Sequence, residues 1–286
     1  MKVGSVKIGF IGAGKVGFSL GKYFSVNGIN VAGYMSRNPE SAKSAAEFTS
    51  SEFYADYKSL ISNSDIIFIT VNDGNISAVF EEIKNFDISD KIICHCSGVM
   101  TAQEAFKNIS AYDAYGYSVH PLYPVSSKYE SYKGLKDAFF CIEGDRKHLM
   151  LVESLFEDMG NPVKIIPTES KSEYHLACAV SSNLVCALVA ESLSLMGKCG
   201  FTEKDALSAL KPLAMANINK IFETNPTQAL TGPIERCDIK TVKKHLDCIE
   251  NEDEKNMYRS VSLILVETAR KKHPEINYDE MIELLR

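Results

Sequence analysis

The sequence has no excess of basic residues. Its 286 residues include 31 Lys and Arg against 37 Asp and Glu, which gives a formal net charge of −6. Proteins that bind nucleic acid need a basic face for the phosphate backbone, so we expect no nucleic-acid partner. A hydrophobic content of 45% is typical of a globular protein. The length favours two domains over one.

The sequence also lacks cysteine pairs with the two-residue gap of zinc or redox motifs, although it contains eight cysteines. Cys94 and Cys96 flank His95, but alternation along a strand places the imidazole on the opposite face from both thiols. Several other cysteines lie in apolar runs, as reduced thiols do when they pack as small hydrophobic groups. We therefore expect no metal site and a reducing, cytoplasmic location.

There is no segment typical of a secretory leader, because the glycine-rich opening carries Lys7 and Lys15 where a leader is apolar. The longest apolar stretch, residues 176–196, is interrupted by polar side chains that include Asn183 and Glu191. A buried helix of a soluble protein explains this stretch better than a membrane span. We expect no membrane partner.

The first part of the chain alternates between short β-rich runs and helical patterns. Such alternation predicts a parallel, doubly wound sheet covered by helices on both faces. After Pro167 only helical patterns follow, at about 171–198, 202–222, 241–272 and 278–285. Thr202, followed by Glu203 and Asp205, is expected to cap the second of these helices. We therefore predict an α/β domain over residues 1–168 and an all-helical domain over residues 169–286. The predicted strands lie in "VKIGFIG", "INVAGYM", "DIIFITV", "KIICHCSG", "AYGYSVH", "AFFCIEG" and "PVKIIP".

The segment "IGFIGAGKVG" follows the first β-run and opens an amphipathic helix. Gly12, Gly14 and Gly17 give the GxGxxG spacing of a Rossmann dinucleotide-binding loop. The first glycine permits the tight turn, the second lets the backbone approach a pyrophosphate, and the third lets the helix pack closely on the strand. Free N–H groups at the start of the helix then hold the phosphates.

The end of the second strand, "GYMSRNP", indicates which dinucleotide binds. NAD usually requires an acid here for the ribose 2′-hydroxyl, and no carboxylate occurs between Gly28 and Pro39. Arg37 can pair with a 2′-phosphate, and Ser36 and Asn38 can donate hydrogen bonds to it. The sequence therefore predicts NADP. Further expected cofactor contacts are Ala13, Lys15, Val16 and Val71.

The chain resembles a family of NADP-binding oxidoreductases that join a Rossmann-like domain to a helical domain of uncharacterised function. The resemblance covers nearly the whole chain and rests on the glycine loop, "HCSG", "SVHPL", "KSEYHLACAVSSN" and "ALTGPIERCD". The helical part is similar to the carboxyl-terminal domain of phosphogluconate and hydroxyacid dehydrogenases. Ketopantoate reductase and pyrroline-carboxylate reductase are more distant relatives.

Two of these motifs follow strands of the predicted sheet. Ser97 and Gly98 end a strand at the carboxyl edge, where open α/β sheets bind ligands. His120 follows a later strand, where it either orients a substrate or caps a turn. We predict that Ser97 and His120 bind substrate.

Lys171 and His175 lie four residues apart and share one face of the helix that opens the predicted second domain. Hydride transfer to a carbonyl or imine needs a proton donor, which either residue can supply. In the hydroxyacid dehydrogenase relatives a lysine has this role and an asparagine follows one turn later. Lys171 matches that lysine, whereas His175 stands where the asparagine would be. The sequence leaves open which of them donates.

Three further polar residues are predicted to bind substrate in the helical domain. Asn183, two turns beyond His175, bonds either a ligand or a neighbouring helix. Thr231 and Arg236 lie in the "TGPIERCD" loop, and Arg236 can bind a carboxylate. In the same loop Asp238 is expected to cap the next helix, and Cys237 stands where the family usually has glycine.

Two functions agree with these features. One is an NADP-dependent dehydrogenase or reductase acting on a small polar carbonyl, hydroxyl or imine compound. The other is a non-catalytic NADP-binding sensor or scaffold, since fold alone does not fix function. The apolar stretch around "LACAVSSNLVCALVAESLSLM" further predicts a homodimer built by the helical domain.

Overall fold

The computed structural model describes residues 6–286, so residues 1–5 of the predicted first domain lie outside the described residues. The chain divides into two compact units after Ser181. The predicted boundary after residue 168 stays a prediction. The helix that begins at Lys171 belongs to the first unit, and the Lys171 side chain is buried.

The first unit is built on a sheet of eight strands in the order β3-β2-β1-β4-β5-β6-β7-β8. The strand order reverses between the parallel strands β1 and β4, which creates the crevice at which such sheets bind dinucleotides. The strands are β1 (Lys7–Ile11), β2 (Asn30–Met35), β3 (Glu52–Phe53), β4 (Ile66–Ile69), β5 (Ile92–His95), β6 (Tyr115–Leu122), β7 (Phe139–Gly144) and β8 (Val163–Ile165).

Helices cover both faces of this sheet, as the alternation in the sequence predicts. One face packs around the stacked rings of Phe10, Tyr34 and Phe68, and the other around aliphatic residues such as Ile67 and Ile93. The helices are α1 (Lys15–Val26), α2 (Pro39–Thr49), α3 (Tyr57–Ser62), α4 (Asp73–Ile83), α5 (Ala102–Ala105), α6 (Leu149–Glu157) and α7 (Lys171–Ser181), with 3₁₀ turns at Ile109–Tyr112, Ser131–Asp137 and Thr168–Ser170.

The sheet differs from the expected parallel one at a single pairing. Strand β7 runs antiparallel to β6, so that Ser118 lies opposite Glu143 and His120 lies opposite Cys141. The apolar runs show where these strands lie but carry no information on their direction. The two-residue strand β3, which pairs with Gly33 and Tyr34 of β2, was not predicted, because it is too short to show a period.

The second unit is entirely helical, as predicted. Thr202 and Asp238 cap α9 and α11 with their side chains, which confirms both expected caps. A core of Val242, Val266 and Met281 joins the last helices. The helices are α8 (Asn183–Lys198), α9 (Glu203–Glu223), α10 (Pro226–Ala229), α11 (Ile239–Cys248), α12 (Glu252–Lys272) and α13 (Asp279–Leu285).

Two helices predicted as continuous are each interrupted. The stretch 171–198 breaks at Ser182, whose φ of −125° and ψ of −70° are not helical. The stretch 241–272 breaks before Asn251, which caps α12 by accepting from the backbone N–H groups of Asp253 and Glu254. Local hydrogen bonds from short polar side chains compete with helix continuation at such positions.

The expectation that the apolar stretch 176–196 is buried is wrong for the chain by itself. Among the described residues of α8, none is buried. The helical stretch Thr168–Lys198, taken together, is long and apolar enough to cross a membrane, by length and composition alone.

We predict that Asn161→Ala destabilises the first unit by about 2–4 kcal/mol. The Asn161 amide is buried, accepts from the Tyr23 hydroxyl at 2.6 Å and donates to the carbonyls of Leu135 and Ala138. Its loss leaves these polar groups without partners inside the protein. Urea denaturation would measure the free energy of unfolding. The matched variant Asn85→Ala, which loses two exposed bonds of the same kind, should change it by less than about 0.5 kcal/mol.

Candidate dinucleotide site and adjoining histidine cluster

The loop between β1 and α1 has the geometry of a pyrophosphate cradle. Gly12 has a φ of +106°, a conformation that L side chains rarely adopt. A Cβ on Gly17 would lie 2.5 Å from the Gly12 carbonyl oxygen and 2.6 Å from Thr70 Oγ1, so only glycine fits. Gly14 precedes α1 without a side-chain cap, and a Cβ there would meet only the Thr70 carbonyl oxygen, at 3.7 Å. The N–H groups at the start of this helix are therefore open to an anion.

A cavity of about 400 Å³ extends from this loop across the ends of β2 and β4. Lys15 is exposed and Val16 half-buried, and neither lines the cavity, while Gly17 lies buried beneath it. The other predicted cofactor residues do line it: Gly12, Ala13, Gly14, Ser36, Arg37, Asn38 and Val71. Sequence reasoning missed Tyr57, Asn72, Asn75 and Glu82, which complete its wall from α3, α4 and the loop before α4.

The ribose end of this cavity fits a 2′-phosphate better than a free hydroxyl. Arg37 is exposed at its rim. Asn38 Oδ1 accepts from the backbone N–H groups of Glu40 and Ser41, which leaves the amide NH₂ as its donor. Burial and the nearby Glu82 carboxylate raise the pKa of Tyr57 to about 12. The residues present thus match the chemistry of NADP.

A second group of polar side chains lies beyond the carboxyl ends of β4 and β5. Ser97 is buried, and its hydroxyl donates to Asp73 Oδ2 at 2.6 Å while it accepts from the N–H groups of Val99 and Met100. The Ser97 hydroxyl therefore has no hydrogen left to donate to a ligand. Its bond to Asp73 orients that exposed carboxylate. Asp73, at the start of α4, was not predicted as a site residue.

Gly98 brings two imidazoles together. A Cβ at Gly98 would lie 2.6 Å from His175 Cδ2 and 3.0 Å from His120 Nε2, so both rings approach the backbone here because the side chain is absent. Both histidines are half-buried. Burial, with Lys171 and His175 nearby, lowers the pKa of His120 to about 4. Its Nδ1 lies 2.6 Å from the hydroxyl of Tyr174, another residue that sequence reasoning missed.

Lys171 lies beneath this cluster with only 1% of its surface exposed. Its Nζ donates to Ser118 Oγ at 2.5 Å, and Ser118 Oγ in turn donates to the Ser97 carbonyl at 3.2 Å. Burial lowers the pKa of Lys171, and the nearby Glu143 carboxylate opposes this. Burial raises the pKa of Glu143, and the Ala102 N–H, which donates to both of its carboxylate oxygens, opposes that.

The structure therefore brings Ser97, His120, Lys171 and His175 together within the first unit. The other predicted substrate residues belong to the second unit, where Asn183 begins α8 and Thr231 and Arg236 lie before α11, all three exposed. Their roles, like those of the first four, stay predictions. Among residues 6–286, no group of three or more His, Cys, Asp or Glu side chains is arranged to hold a metal ion.

Comparison with known families gives two matches. Residues 7–97 match the family described as NADP oxidoreductase, coenzyme F420-dependent. Residues 138–264 match a domain of unknown function, DUF2520. No curated protein sequence matches the chain.

Solved structures of the same fold cover nearly the whole chain. A Thermotoga maritima protein is 23% identical over 93% of this chain and 99% of that one, with a TM-score of 0.74. A reductive aminase from Aspergillus terreus, solved with NADPH and ethyl-5-oxohexanoate, is 14% identical over 98% and 91%, with a TM-score of 0.61. A Plasmodium falciparum pyrroline carboxylate reductase with NADP bound is 13% identical over 94% and 97%, with a TM-score of 0.62. These findings confirm the expected resemblance, the fold class and NADP as the cofactor of the matched family.

We predict that Arg37→Ala weakens NADPH binding by about 10- to 100-fold, the value of one charge-assisted phosphate contact, and leaves NADH binding nearly unchanged. Isothermal calorimetry with both cofactors would measure this. Lys43→Ala, on the neighbouring helix and paired with Glu40, is the matched control and should alter neither affinity. NADH binding as tight as NADPH binding, with no loss in Arg37→Ala, would show that Arg37 does not select the cofactor.

Proposed function

We propose that this chain, which carries an NADP-oxidoreductase domain, is an NADP-dependent enzyme that transfers hydride to or from a small polar carbonyl, hydroxyl or imine compound. The observation that carries the proposal is the pair of imidazoles at Gly98, next to the Ser97–Asp73 hydrogen bond. They lie at the carboxyl edge of the sheet that also holds the glycine loop. The reductive aminase and pyrroline carboxylate reductase with the same fold favour a C=N or C=O substrate.

Bound NADPH would supply the hydride for the substrate carbon, and the protein's own residues must then supply a proton to the oxygen or nitrogen. Of the two predicted donors, His175 is half-buried and contacts Gly98, whereas the Lys171 ammonium is buried and bonded to Ser118. We infer that His175 donates the proton and regains it from solvent. Lys171, which lies beneath the two imidazoles, then contributes its positive charge and no proton.

We predict that His175→Asn lowers turnover by about 10²- to 10⁴-fold, the usual contribution of a general acid, and leaves NADPH affinity nearly unchanged. NADPH oxidation with a panel of 2-keto acids and cyclic imines would provide the assay. Lys171→Met should act differently, because it removes the bond to Ser118 and the positive charge near the buried Glu143 carboxylate, so it should lower stability.

Two outcomes would contradict these assignments. Loss of turnover in Lys171→Met alone, with stability and NADPH affinity intact, would make Lys171 the donor. If no compound of the panel oxidises NADPH, the chain is a non-catalytic NADP-binding protein.

We also propose that the second unit forms a homodimer. An apolar groove of about 470 Å³ runs between α8 and α9 and is lined by Val185, Val189, Leu193, Leu207 and other apolar residues. Leu213, at its rim, is 71% exposed. An apolar surface that continues along a whole helix is typical of an interface, and a second copy of the chain supplies a matching one.

We predict that light scattering shows a dimer at micromolar concentration and that Leu213→Glu dissociates it, because the carboxylate would be buried unpaired. Met150→Glu is the matched control, since Met150 is 80% exposed on α6 of the first unit. A monomer that sediments with lipid vesicles would show instead that this face binds a membrane.

A reducing, cytoplasmic location completes the proposal. All eight cysteines lie in the described part of the chain, and none of them forms a disulfide there. Free thiols persist in reducing compartments.

A further inference from the structure

Tyr174 and His120 form a hydrogen-bonded pair that joins α7 to β6. The Tyr174 hydroxyl oxygen lies 2.6 Å from His120 Nδ1, and the two rings meet edge to face with centroids 5.7 Å apart. A bond at one nitrogen of a neutral imidazole determines which nitrogen carries the proton. The direction of this bond therefore decides what His120 offers at its other nitrogen.

The surroundings of the Tyr174 hydroxyl indicate this direction. The thiols of Cys141 and Cys178 also lie against the hydroxyl. Burial raises the pKa of Tyr174, so the oxygen keeps its hydrogen. Sulfur is a weak acceptor and an imidazole nitrogen is a good one, so the O–H points to His120 Nδ1. The thiols are then left to donate to the oxygen, and the proton of the imidazole lies on Nε2.

His120 is uncharged at neutral pH. Burial is the largest cause of its low pKa, and the charges of Lys171 and His175 on α7 act in the same direction against the opposing Asp73 on α4. An uncharged imidazole has a single N–H to give. Among residues 6–286, the one hydrogen bond found for His120 is at Nδ1, so Nε2 is left for a ligand.

We propose that Tyr174 is a positioning residue that holds His120 as the Nε2–H tautomer, and that this N–H binds the oxygen or nitrogen of the substrate. Nε2 lies 3.0 Å from the position that a Gly98 Cβ would occupy, on the side where His175 also contacts Gly98. A neutral N–H donor at this point stabilises charge that develops on the heteroatom as hydride is transferred. The substrate half of this inference rests on the proposed function, whereas the tautomer does not.

The chain contains a matched internal control. His245 and Tyr258 in the second unit have the same geometry, with 2.8 Å between Nδ1 and the hydroxyl and ring centroids 5.8 Å apart. Removing the Tyr258 hydroxyl should therefore affect the His245 signal and leave the His120 signal unchanged.

Long-range ¹H–¹⁵N NMR of histidine-labelled protein at neutral pH would test the tautomer. The signals that His120→Gln removes identify His120 among the six histidines. We expect a protonated Nε2 and an unprotonated Nδ1 in the wild type. Tyr174→Phe should shift His120 towards a mixture of tautomers, and Tyr258→Phe should not.

A wild-type His120 protonated at Nδ1 would overturn the inference, and so would an unchanged tautomer in Tyr174→Phe. Because the wild-type spectrum is decisive by itself, the test does not depend on the folding of the variant.

Kinetic measurements would test whether the His120 N–H binds the substrate. Tyr174→Phe should lower kcat about tenfold or more without changing NADPH affinity. His120→Gln, whose side-chain amide keeps a donor near the Nε2 position, should keep more activity than His120→Phe.

Equal activity of the two His120 variants would overturn the substrate role of His120. A third outcome is that NMR shows the expected tautomer but no compound of the panel is reduced. This outcome would overturn both the proposed function and the substrate role of His120, and would leave Tyr174 as the residue that sets the tautomer.

Discussion

The buried charge of Lys171 is the constraint on which the site depends. An ammonium that is 1% exposed costs several kcal/mol unless it is paired and hydrogen-bonded. Ser118 supplies the hydrogen bond, and the Glu143 carboxylate supplies the opposite charge. These two partners lie opposite each other in the antiparallel pairing of β6 and β7. The first turn of α7 is therefore hydrogen-bonded to β6, and the opposite charge lies on the neighbouring strand β7.

This fixed turn determines where the next residues of α7 lie. Tyr174 and His175 follow Lys171 by three and four residues, so they share its face of the helix. That face meets His120 and the backbone at Gly98. The position of His175 depends on Gly98 as well as on Lys171. A Cβ at Gly98 would displace the His175 ring from its place on α7.

Elements with a strong local signal could be predicted from the sequence. The glycine loop, the apolar strands and the capping residues Thr202 and Asp238 depend on neighbours within a few residues, and the structure has them where the pattern places them. The direction of β7 could not be predicted, because an apolar run is equally compatible with parallel and antiparallel pairing. The breaks at Ser182 and before Asn251 were also missed, since single polar residues occur within many continuous helices.

The residues of the candidate site also divide into those with a local sequence signal and those without one. Ser97, His120, Lys171 and His175 could be proposed because the sequence pattern places them after predicted strands or at a predicted helix start, although His120 lies within β6 in the structure. Their partners could not be proposed in this way. Asp73 lies 24 residues from Ser97 and Tyr174 lies 54 residues from His120, and only the folded sheet brings these pairs together.

The charge state of this cluster follows from burial and differs from that of the whole chain. The chain carries a net charge of −6, yet the groups around Gly98 include two imidazoles above a buried ammonium, with the Asp73 carboxylate bonded to the neighbouring Ser97. His120 is kept neutral by burial and by this ammonium, so the positive charge stays at Lys171. A charge in a poorly solvated region is weakly screened and acts over several ångströms. It favours negative charge on a ligand at Gly98, while the neutral His120 remains a hydrogen-bond donor that keeps its N–H proton at neutral pH.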